Sequence, residues 1–232
     1  MANRLHEFKD TAALAEGLAD TVAAALKAAI AERGAATIAV SGGSTPKQFF
    51  KALSARALDW PKVTVTLVDE RFVPADNARS NHLLVAENLL QGNAASARFL
   101  PLYRQAATIE EAARLASGDI AAVAAPFDVV ILGMGNDGHT ASFFPGGDRL
   151  AEALSLDTPR GVITMEAEGA GEPRLTLTFS SLQDARLLVL HIEGQAKKDT
   201  LDKALSAGAE VEMPVRAVLN RARTPVDIYW AP

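Results

Sequence analysis

One stretch of the chain brings a carboxylate and an imidazole two residues apart among glycines: Gly133-Met134-Gly135-Asn136-Asp137-Gly138-His139-Thr140. Histidine accepts and returns protons near neutral pH. A neighbouring carboxylate fixes its tautomer and steadies the imidazolium. Asp137 and His139 therefore suit general-base chemistry, a contribution of about 10²–10⁴-fold. The stretch also fits GxGxxG after an apolar run, which raises a dinucleotide site. Three features argue against it. Asp137 puts negative charge where a pyrophosphate would lie. Pro145-Gly146-Gly147 leaves little room for the helix that should follow. No strand-end acid stands about twenty residues further on to meet a ribose. The remaining alternative for His139 is a structural ring bonded to loop backbone.

The other histidines read as structural. His6 is near a terminus, His82 opens a predicted helix, and His191 lies inside the apolar run Leu187–Ile192. The chain has no cysteine, which excludes disulfides, thiol nucleophiles and cysteine-ligated metals. With imidazoles so dispersed, no metal site and no cofactor are expected. No G-x-S-x-G elbow occurs, so a serine esterase is not indicated.

Four further segments could hold an anion. Ser41-Gly42-Gly43-Ser44-Thr45-Pro46 combines close backbone approach with a predicted helix start. Ser44 or Thr45 would cap that helix and Pro46 would fill its first position. The spacing of a Walker loop is missing, and a plain glycine turn is the alternative. Asp69-Glu70-Arg71 follows a β-branched run, and Arg71 offers a planar fork that suits phosphate. Ser80-Asn81 follows closely. Gly194-Gln195-Ala196-Lys197 puts a lysine in the first turn of a predicted helix, and Arg174 opens the run Arg174–Phe179. Each of these alone also reads as ordinary solvated surface or a helix cap.

These segments need a scaffold that gathers them. Helical periodicity over 11–31 carries Leu14, Leu18, Val22 and Leu26 on one face. Strands are predicted at Thr37–Val40, Val63–Val68 and Phe127–Leu132, near 161–167, 174–179 and 186–192, and at Val226–Trp230. Helices are predicted from Pro46, over 80–90, 108–124 and 195–207, and at 214–221. The run Phe127–Leu132 is apolar on both faces, as in a buried parallel strand. This alternation predicts a three-layer α/β/α fold with a mostly parallel, Rossmann-like sheet, residues 1–232 forming a single domain. Ligands in such sheets bind beyond the carboxyl ends of the strands. The loops after Val40, Val68, Leu132 and Ile192 are therefore the place for a site.

Composition narrows the partners. Of the 232 residues, 49% are hydrophobic and 22% charged, ordinary values for a globular chain. The net charge of −5 gives no nucleic-acid footprint and no affinity for an anionic membrane. The opening residues have no apolar signal core, and Pro126 and Asp128 interrupt the most apolar stretch. The expected location is cytoplasmic.

Taken together, the motifs resemble the 6-phosphogluconolactonase family. The carriers are SGGSTP at 41–46, DERFVP at 69–74, SN at 80–81, GMGNDGHTASFFPG at 133–146, RLTLTF at 174–179 and GQAK at 194–197. They span most of the chain, and the DER and GMGxDGHTAS motifs are the specific ones. The resemblance implies hydrolysis of 6-phospho-D-glucono-1,5-lactone to 6-phosphogluconate, in the oxidative pentose phosphate pathway. It implies His139 as the base that activates water and Asp137 as its support. Gly42, Gly43, Ser44 and Thr45 would line the substrate loop. Arg71, Arg174 and Lys197 would contact phosphate or sugar, and Asp69 and Asn81 would lie at the sugar end. Within the same superfamily, glucosamine-6-phosphate deaminase is the rival. Its pattern reads DEY rather than DER and continues after the histidine to Asn-Glu-Pro. Here Thr140–Pro145 carries no acid, which favours the lactonase. A silent sugar-phosphate sensor is the third reading, opposed by the intact Asp137 and His139.

Overall fold

The computed structural model describes residues 2–123 and 125–232. The strands are β1 (Arg4–Glu7), β2 (Ala36–Val40), β3 (Val63–Leu67), β4 (Asp69–Arg71) and β5 (Arg98–Leu100), then β6 (Val129–Leu132), β7 (Val162–Met165), β8 (Arg174–Leu177), β9 (Leu187–Glu193) and β10 (Val226–Ala231). The helices are α1 (Thr11–Arg33), α2 (Lys47–Ser54), α3 (Asn81–Asn88), α4 (Ile109–Ala121), α5 (Leu150–Leu154), α6 (Phe179–Leu182), α7 (Gln195–Leu205) and α8 (Val215–Arg221). The predicted end of the fourth helix, at Ala124, lies outside the described residues.

Among the described residues, seven strands form one sheet in the order β1-β10-β9-β6-β2-β3-β5. Each neighbouring pair in it is parallel. Helices flank this sheet, as the alternation of patterns predicts. Central strands β2 and β6 are buried at every position, which is why they read as unbroken apolar runs. Helix α1 starts where Asp10 accepts the amide of Ala13 at 2.7 Å. It stops at Gly34, whose φ of 79° supplies the left-handed cap. Its buried face carries Leu14, Leu18, Val22 and Leu26, the predicted stripe.

Three expectations need correction. The strands near 161–167 and 174–179 exist as β7 and β8, but they stand outside the parallel sheet. They pair antiparallel with each other and with β4, in the order β4-β8-β7. The reason is the short connection: the eight residues between Met165 and Arg174 hold no crossover helix of the kind that parallel neighbours need. Thus Asp69–Arg71, read as a loop, is a short strand. The helix after Ser41–Pro46 begins at Lys47, with Pro46 at its cap position, and no side chain caps it, so neither Ser44 nor Thr45 has that role.

The sheet order explains the position of the site. Strands β3, β2, β6 and β9 are consecutive neighbours, so their carboxyl ends open side by side. From β2 the chain first proceeds to β3 and β5 on one side, then returns to β6 on the other. The crevice between β2 and β6 is therefore a topological switch point.

Candidate active site

A cavity of about 320 Å³ opens over that crevice. Each element delivers its residues for a local reason. The loop after β2 supplies Gly42, Gly43, Ser44 and Thr45. Gly42 packs so closely on Asn81 that an added Cβ would fall 1.9 Å from the amide oxygen. Asn81, at the start of α3, in turn donates from Nδ2 to the carbonyl of Asp69 at 2.9 Å. Loop, strand end and helix start are thereby locked together.

Glu70 makes the lock rigid. It is fully buried, and its carboxylate accepts the amides of Arg71, Asn81 and His82 and the hydroxyl of Ser80. Burial pushes its pKa up, and these four donors oppose the rise. Glu70 points away from the cavity, while its neighbours Asp69 and Arg71 line it, as strand alternation requires. The Asp69 carboxylate accepts the Ser142 hydroxyl at 2.6 Å, which ties β4 to the loop after β6.

That loop carries the imidazole. Gly135 donates to the carbonyl of His139 at 2.8 Å, and Gly138 donates to the carbonyl of Gly135 at 3.1 Å. The Thr140 hydroxyl donates to the carbonyl of Gly133 at 2.7 Å. The tight turn places His139 Nδ1 2.6 Å from Asp137 Oδ1. An added Cβ on Gly135 would sit 2.1 Å from that nitrogen, so the dyad needs the glycine. Phe144 packs on the imidazole with ring centroids 4.3 Å apart. Next to the dyad, Ala141 holds a φ of 47°, an uncommon left-handed conformation for a residue with a Cβ.

The hydrogen bond with His139 is the main cause that holds the Asp137 pKa down to about 2, against a smaller rise from burial. Asp137 is therefore ionised at neutral pH and can only accept. Nδ1 then carries the proton, and Nε2 is the lone-pair nitrogen of a ring that lines the cavity.

The same cavity also holds cations. Arg71 and Arg174 are directly opposed across the β4–β8 pair. The Arg71 guanidinium donates to the carbonyl of Arg79, and Arg174 donates to the carbonyl of Ala170 at 2.7 Å. Both arginines keep a buried Nε without a partner. Arg174 also lies over the Phe144 ring, 5.6 Å from its centroid. Burial is the leading influence on Arg174 and lowers its pKa, with partial compensation from Asp69. Lys197 enters from the first turn of α7, after Gly194 at a φ of 86°. Burial lowers its pKa too, and the Asp137 carboxylate opposes the shift.

All the predicted site residues except Asp137 line this cavity; Asp137 stands behind His139. The arrangement combines cations that can bind an anion with an imidazole that can activate water. Among the described residues, no cluster of three or more metal-ligating side chains occurs, and no helix is long and apolar enough to cross a membrane.

A sequence profile described as glucosamine-6-phosphate isomerases/6-phosphogluconolactonase matches residues 9–230. The chain belongs to this family. A 6-phosphogluconolactonase of Rhizobium meliloti is 68% identical over the whole of both chains. One from Mesorhizobium japonicum is 53% identical over 97% of this chain and 94% of its own. The crystal structure of a 6-phosphogluconolactonase from Shewanella baltica superposes with a TM-score of 0.95 at 39% identity, covering 99% of this chain and 98% of that one.

In this member of the isomerase/lactonase family, sequence reasoning overlooked several cavity residues. Phe144 and Ala141 gave no chemical signal, being apolar. His191, which reads as structural because its strand is apolar, also lines the cavity. Its place two residues before the last residue of β9 was the available clue, since strand ends point to the crevice.

Proposed function

We propose that this chain hydrolyses 6-phospho-D-glucono-1,5-lactone to 6-phospho-D-gluconate, the second step of the oxidative pentose phosphate pathway. The observation that carries the reading is the His139–Asp137 contact of 2.6 Å on a cavity that also holds Arg71, Arg174 and Lys197. The names and high identity of the relatives support the same substrate.

In this reading the cations capture the phosphate, and that remote binding orients the lactone carbonyl near His139. Nε2 removes a proton from water as the water oxygen bonds to C1. The tetrahedral intermediate collapses by breaking the bond between C1 and the ring oxygen. The imidazolium returns its proton to that oxygen, which becomes the C5 hydroxyl. The new carboxylic acid releases its proton to solvent. Asp137 keeps the ring in the correct tautomer and balances the transient positive charge. Asp69 and Asn81 hold sugar hydroxyls, and the loop at Gly42–Thr45 lines the substrate.

The test is a coupled assay on freshly generated lactone, with spontaneous opening subtracted, and glucosamine 6-phosphate run in parallel. Enzymatic lactone opening without ammonia release is the expected result. Ammonia release would transfer the chain to deaminase chemistry, and binding without any turnover would make it a sensor.

A further inference from the structure

His191 is 2% exposed and forms part of the cavity wall. Its Nε2 lies 3.0 Å from Glu193 Oε1, two residues along the same strand. The ring stands edge-on to Phe49, with centroids 6.0 Å apart. Its Nδ1 is buried and has no partner.

A buried polar nitrogen without a partner costs free energy, and native proteins seldom leave one so. The Glu193 carboxylate can only accept when ionised, so Nε2 carries the proton. Nδ1 of the neutral ring is then an acceptor. What it lacks is a donor, and none of the described residues supplies one. Nothing else in the mechanism uses this residue.

We propose that His191 is a substrate-contacting residue: its Nδ1, set by the Glu193 bond on Nε2, accepts a hydrogen bond from a hydroxyl of the bound sugar. This rests on the lactonase reading for the identity of the ligand. A site built to accept from a hydroxyl discriminates strongly against a ligand that lacks it. Glu193 is then a positioning residue that acts through the ring.

Two isosteric substitutions separate this role from a structural one. Asparagine places its amide near Nδ1, and glutamine places its amide near Nε2. The proposal expects His191→Gln to raise KM about tenfold, whereas His191→Asn stays closer to wild type. A purely structural histidine gives the reverse order, because glutamine keeps the Glu193 bond and asparagine breaks it. That reverse order, or equal KM values, would overturn the proposal. Should either variant fail to fold, wild-type protein labelled with ¹⁵N-histidine decides. Saturating 6-phosphogluconate should move the unprotonated Nδ1 resonance of His191, identified by eliminating the other three histidines with variants of each. An unmoved resonance would also overturn the proposal. Wild-type turnover in the same assay tests the lactonase reading separately, so failure of one is distinguishable from failure of the other.

Discussion

The dyad and the arginine pair of the cavity are built in opposite ways. Asp137 and His139 are two residues apart and meet through a single turn that closes on itself. Arg71 and Arg174 are about a hundred positions apart and meet only because β4 pairs with β8. The dyad is internally satisfied, with Nδ1 already bonded, and leaves one nitrogen for chemistry. The arginines are incompletely satisfied, each with a buried Nε that has no partner. A proton acceptor must be positioned before substrate arrives, because misplacement directly reduces rate. An anion clamp gains by leaving donors for its ligand to complete. The expected division is that the dyad loop governs kcat and the arginine wall governs KM.

The strongest way to break that division is His139→Ala. Loss of the base should lower kcat by about 10²–10⁴-fold with KM changed little. Near-normal turnover would remove His139 from the mechanism. Gly135→Ala should follow with about a 10²-fold fall in kcat. The added Cβ displaces the imidazole, the movable end of a side chain, so thermal stability should be almost unchanged. A large fall in Tm would mean that the turn itself, not the ring, pays for the methyl group.

The wall is tested by Arg71→Ala and Arg174→Ala. Each should raise KM about tenfold while kcat stays within a fewfold of wild type, read from steady-state kinetics. A pure kcat effect would move the arginine from capture to transition-state stabilisation. The smallest expected effect concerns Lys197. Burial lowers the pKa of its ammonium, so it loses its proton at lower pH than an exposed lysine. Affinity for 6-phosphogluconate should therefore weaken a fewfold as pH rises toward about 10. Arginine keeps its proton throughout, so Lys197→Arg should shift that fall to higher pH in calorimetric titrations. Identical pH profiles for both proteins would separate Lys197 from the anion.

The dyad was legible because its chemistry is local. Gly133–Thr140 contains the turn residues, the acid and the base in one window, so their meeting follows from backbone geometry. The wall was only half legible. Arg71 and Arg174 stood out as cations at predicted strand ends, but nothing in either segment showed that they face each other. Strand alternation assigned Asp69 and Arg71 to one face and Glu70 to the other only once β4 was known to be a strand. The reading of Ser44 and Thr45 as caps failed because the helix starts at Lys47, which puts Pro46 at the cap position.

The sequence by itself determined the α/β alternation, the strand ends where a site belongs, and the dyad turn, because period, apolarity and turn chemistry act over a few residues. Tertiary structure alone decided that β7 and β8 leave the parallel sheet to pair with β4, and that His191 lines the cavity. Those outcomes depend on which strands become neighbours, and pairing partners are chosen by packing across the whole chain rather than by any segment's own residues.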